Sequence, residues 1–177
     1  RKVEEVKKEA ERLLRRSEEV SKKVADDADR LLKRSREVSD RVRRESERLL
    51  KEVAEAGVDE KILREIKKRS EESVKRLEDI NKRLEDEIRR LKEELKRIND
   101  ELRKRIERLR EDLERDRTDK RVEDVLREAR DLVRRSIKKI DEVLKEAKRL
   151  VEESIKLSED NVRRNEEIIR DLERRTR

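Results

Sequence analysis

Apolar residues in this chain follow a helical period, but the stripe they form changes phase twice. With each residue advanced by 100°, the apolar and Ser positions from Val3 to Ala56 fall on one arc about 140–160° wide. Those from Ile62 to Leu113 fall on a narrower, differently phased arc of about 100–120°. From Val122 to Leu172 the arc is again about 140° wide, turned by nearly 180° from the second. One continuous helix cannot bury three such stripes on one side. The chain therefore breaks twice.

Both breaks can be located. Ala56-Gly57-Val58-Asp59 places the single Gly just past a helix end, where a left-handed backbone is commonly needed. Asp59 then suits an N-cap, with Glu60 in the first turn. No apolar residue stands between Leu113 and Val122, where Thr118 or Asp119 is the candidate cap. The reading predicts helices over about residues 2–55, 59–115 and 119–175, all within one domain, 1–177. Loops this short force antiparallel neighbours. The expected fold is all-α, an up-down-up antiparallel three-helix bundle.

Composition agrees with helix. Leu, Glu, Lys, Arg and Ala dominate, while Pro and all three aromatic types are absent. Charged residues make up 60% of the chain, a level shared with disordered proteins, but those lack the periodic apolar supply seen here.

The three stretches also repeat internally. Arg12-Leu13-Leu14-Arg15-Arg16-Ser17-Glu18-Glu19-Val20-Ser21 recurs at Arg30–Ser39 and begins again at Arg48-Leu49-Leu50. Ile80-Asn81 returns as Ile98-Asn99, and Val125-Leu126 as Val143-Leu144. The interval is 18 residues, or five turns of 3.6. Heptads impose a left-handed supercoil and 11-residue repeats a right-handed one. An 18-residue repeat imposes neither, so nearly straight helices are expected.

The uncharged polar residues are not surface filler. All ten Ser and all four Asn lie on the apolar arcs or at their edges. In antiparallel helices, residues on one level have a constant sum of numbers. Ser17 with Asn99, Ser35 with Asn81, and Ser46 with Ser70 each sum to 116. Asn99 with Ser136, Asn81 with Ser154, and Ser70 with Asn165 each sum to 235. Three polar layers are expected to span all three helices: Ser17/Asn99/Ser136, Ser35/Asn81/Ser154 and Ser46/Ser70/Asn165. Ser21, Ser39, Ser73, Ser158 and Asn161 lie nearby. A helical Ser bonding its own i−4 carbonyl does not account for shared levels. The expected use of such layers is specificity, because a slipped register leaves polar groups facing hydrocarbon.

On these features the chain resembles computationally designed helical bundles with buried hydrogen-bond networks. The resemblance covers the whole chain and rests on the 18-residue repeat, the all-charged surface and layers such as Ser35/Asn81/Ser154. It implies a structural scaffold without a natural substrate. Spectrin-like repeats are the natural comparison, but they usually carry buried aromatics.

Chemistry is expected to be absent. Without His or Cys there is no triad, no thiolate and no soft metal ligand. Asp26, Asp27 and Asp29 form the densest acidic cluster, yet their directions spread around a helix, so no metal is expected there. No Gly-rich phosphate loop occurs, and no cofactor or small-molecule ligand is expected. The net charge of +7 comes from 57 basic and 50 acidic residues that alternate along every stretch, which argues against a nucleic-acid partner. No apolar run approaches membrane-spanning length and no signal-peptide core is seen. The expected product is a soluble scaffold that is not an enzyme and is monomeric. The alternative is a self-associating helical module, suggested by the wider arcs of the first and third helices, with small residues at their centres.

Overall fold

In the computed structural model, which describes residues 2–115 and 119–176, the chain forms three long helices and no strand among those residues. They are α1 (Lys2–Glu55), α2 (Glu60–Glu114) and α3 (Asp119–Thr176). All three pack against one another. Thr118 lies outside the described residues, as does the side chain of Asp119, so the cap expected there is not addressed.

The first break forms as its residues dictate. Ala56 N–H donates to the Glu52 carbonyl and Gly57 N–H to that of Ala54, closing the end of α1. Gly57 then adopts φ 68°, a left-handed conformation that costs a side-chain-bearing residue about 1 kcal/mol or more. Asp59 restarts the helix, its carbonyl accepting from Ile62 N–H at 3.0 Å and from Leu63 N–H at 3.2 Å.

Two compact units can be distinguished, each containing a stretch of every helix. One combines the first part of α1, through Asp29, with Glu87–Glu146; the other combines Arg30–Asp86 with α3 from Ala147 onward. In the first unit, Leu102, Ile106 and Leu109 of α2 cluster with Ala10 of α1 and with Val122, Leu126, Ala129 and Leu132 of α3. A smaller cluster joins Val24, Leu91, Leu95 and Ile140. In the second unit, Ile80 and Leu84 meet Ala147, Leu150 and Val151, while Leu49 and Val53 meet Ile66. Each fully buried Leu contributes roughly 1.5–3 kcal/mol relative to exposure. Of the most deeply buried Leu residues, 77, 84, 91, 102 and 109 belong to α2 and only 150 to α3. Its narrow stripe is covered, whereas among the described residues the exposed large apolar ones, Ile137, Val162 and Ile169, all stand on α3.

Charged flanks report the antiparallel register. In the first unit Lys92 pairs with Asp29 at 2.7 Å, Arg103 with Glu18 at 2.7 Å and Arg110 with Glu11 at 3.0 Å. In the second, Arg36 pairs with Glu85 and Arg43 with Glu78. Within each unit the residue numbers of these pairs sum to 121, as antiparallel packing of α2 on α1 requires. These side chains are largely exposed, so each pair contributes at most about 1 kcal/mol.

Candidate functional site

The polar residues predicted to sit inside the bundle are the candidate site. In the first unit, Ser17 Oγ donates to Asn99 Oδ1. Asn99 Nδ2 donates to Ser21 Oγ at 3.2 Å, and Ser21 Oγ donates to the Ser17 carbonyl oxygen at 2.8 Å. The three bonds form a closed clasp: two serines one turn apart on α1 grip both ends of one amide from α2. Ser17 and Asn99 are buried and Ser21 is half-buried.

The second unit carries the same clasp. Ser35 Oγ donates to Asn81 Oδ1, Asn81 Nδ2 donates to Ser39 Oγ at 2.8 Å, and Ser39 Oγ donates to the Ser35 carbonyl at 3.2 Å. Here α3 also takes part, since Ser154 Oγ lies 3.5 Å from Ser35 Oγ, both serines being fully buried. The layer Ser35/Asn81/Ser154 thus links all three helices.

The other layers depart from expectation. Ser136 is buried but does not join Ser17 and Asn99, so that clasp links two helices rather than three. Both polar ends of Asn99 are already engaged by Ser17 and Ser21, and a serine hydroxyl has little reach. The third layer, Ser46/Ser70/Asn165, does not form a hydrogen-bonded set. Ser46 and Ser70 are buried and Asn165 is half-buried, but Ser46 Oγ has no hydrogen-bond partner. Sequence explains why: α2 offers Ser70 instead of an Asn, and the residue one turn after Ser46 is Leu50 instead of Ser. Two short hydroxyls on one level cannot span the gap that a carboxamide spans.

Asn161 is buried with Nδ2 unpaired, because the residues on its level, Val42 and Val74, are apolar. Ser73 and Ser158 are half-buried and join neither clasp. The feature missed in the sequence is the role of Ser21 and Ser39. Their levels alone put them only near the layers, although the Ser-x-x-x-Ser spacing, repeated at 18 residues opposite a repeated Asn, is the clasp itself.

Among the described residues no group of three His, Cys, Asp or Glu side chains is placed to hold a metal ion. Asp29, a member of the acidic cluster, is engaged by Lys92. No described helix is long and apolar enough to cross a membrane. No family model, curated protein or solved structure matches the chain.

Proposed function

We propose that this chain is a structural scaffold of designed origin, with no catalytic chemistry of its own, whose helices are held in register by buried Ser/Asn clasps. The observation that carries the reading is the recurrence of one three-bond arrangement in both units, at the interval of the sequence repeat. A hydrogen bond of this kind adds only about 1 kcal/mol net, whereas an unpaired buried amide costs about 1–3 kcal/mol. The clasp therefore acts mainly by penalising every misaligned packing of α2 on α1.

Long helices, short loops and local preferences that agree with the fold give such a scaffold high stability. A circular-dichroism melt is expected to show a midpoint above roughly 90 °C, the usual mark of hyperstability. A cooperative midpoint below about 60 °C, in the ordinary mesophilic range, is incompatible with the reading.

A further inference from the structure

In the unit formed by Arg30–Asp86 and α3 from Ala147, the α1/α3 edge combines apolar exposure with ordered charge. Ser35 fixes directions on α1. Arg36, the next residue, pairs with Glu85 of α2, so Leu31, Arg34 and Val38, turned the other way from Ser35, stand on the α3 side. On α3, Lys139 pairs with Glu94 of α2 and Arg130 with Glu9 of α1. The helix carries that phase onward, which puts Ile155, Val162 and Ile169 on the α1 side. Leu31, Val38 and Ile155 are half-buried, while Val162 and Ile169 are each 37% exposed.

Singly exposed apolar side chains are ordinary. What distinguishes this edge is the charge beside it. Outside the α1 ladder stand Arg34, Arg41 and Arg48, seven residues apart and exposed. Outside the α3 ladder stand Glu152, Glu159 and Glu166, with the same spacing and also exposed. Ser35 and Ser154 meet across these helices at a separation of 119 residues. By that offset each Arg lies within one residue, about 1.5 Å, of the level of one Glu. Glu52 continues the series beside the level of Arg170 with both signs reversed; Arg30, near the level of Lys148, is the like-charged exception. Arg48 also pairs within α1 with Glu52, at 3.2 Å.

We propose that a second copy of this chain docks on this edge, parallel to the first, about a two-fold axis running along the helices. That axis sets α1 opposite the partner's α3 at equal height, so the Arg row of each copy faces the Glu row of the other while Val162 and Ile169 become covered. A two-fold axis across the helices instead sets α1 against α1 and the Arg row against itself. Rim ion pairs contribute little affinity individually; they select the orientation, and apolar burial supplies the attraction. This proposal takes up the self-associating alternative of the sequence reading in place of the monomer.

The test is light scattering coupled to size exclusion on the full chain and two charge-reversed triple variants. One variant carries Arg34→Glu, Arg41→Glu and Arg48→Glu; the other carries Glu152→Arg, Glu159→Arg and Glu166→Arg. All six positions are exposed, and circular dichroism verifies that helix content is retained. The parent is expected at twice the 21.6 kDa chain mass, each triple variant alone at the single-chain mass, and their equimolar mixture again at twice it. A parent that stays at the single-chain mass at every concentration overturns the proposal. So do triple variants that remain dimeric alone, a mixture that fails to associate, or a larger assembly.

Discussion

Ser21 and Asn99 are joined by a 3.2 Å hydrogen bond in which the hydroxyl can only accept, because its own proton goes to the Ser17 carbonyl oxygen 2.8 Å away. The amide of Asn99 is therefore oriented by its surroundings: oxygen toward Ser17, nitrogen toward Ser21.

That orientation makes Asn99→Asp a sharp test. The carboxylate can still accept from Ser17 but has no proton for Ser21, which must either face the charge with a lone pair or give up its bond to the Ser17 carbonyl to donate to it. A loss of about 1–3 kcal/mol is expected at neutral pH. Burial raises the carboxyl's folded-state pKa above its unfolded value, so the folded state favours the proton. Relative to the parent, stability is thus expected to recover as pH falls through the folded-state value toward the unfolded one. Urea denaturation at several pH values measures this, and a variant as stable as the parent at neutral pH contradicts the assigned orientation.

Replacing Asn81 by Leu should hold stability within about 1 kcal/mol of the parent or raise it, since an apolar side chain needs no partner and Ser39 keeps its bond to the Ser35 carbonyl. What weakens is specificity of alignment. Amide hydrogen exchange around Ser35 and Asn81 should quicken without a matching loss of global stability. A loss above roughly 2 kcal/mol shows that the clasp contributes more energy than ordinary hydrogen-bond magnitudes allow.

Ser46 and Ser17 are both buried and should respond oppositely to alanine. Ser17→Ala removes the donor to Asn99 Oδ1 and should cost about 1–2 kcal/mol. Ser46→Ala removes an unpartnered buried hydroxyl and should be neutral or stabilising by up to about 1 kcal/mol. Equal losses in chemical denaturation would mean that Ser46 has a partner.

Gly57→Ala isolates the cost of the left-handed backbone. A Cβ built at this position meets nothing within 4 Å, so no packing penalty accompanies the φ of 68°. The expected loss is about 1 kcal/mol, read from the denaturation midpoint. A neutral result would place Gly57 in a conformation open to any residue.

The helix boundaries were legible because phase breaks in the apolar stripe are hard to produce any other way. Asp59 and Gly57 marked the first turn to within a residue of α2's observed start. The pairing of Ser17 with Asn99 and of Ser35 with Asn81 was readable from their levels. The failure of Ser46, Ser70 and Asn165 was not, because level says nothing about reach. Two hydroxyls and a carboxamide can share a height while their polar atoms remain too far apart. The exposed flank of α3 was also out of sight of the arc widths, which do not say which edge a neighbouring helix covers.

A pattern that repeats at 18 residues has a further consequence for α2. A single clasp specifies its position only modulo that interval, since a displacement of about 27 Å would again bring one Asn opposite a Ser pair while the other Asn loses its partners. The absolute count comes from the tether at residues 56–59, too short to permit such a displacement. Severing the chain at Gly57 would leave α2 a second docking address one clasp short of the native one, so the second amide, with its apolar and charged neighbours, would have to decide between them.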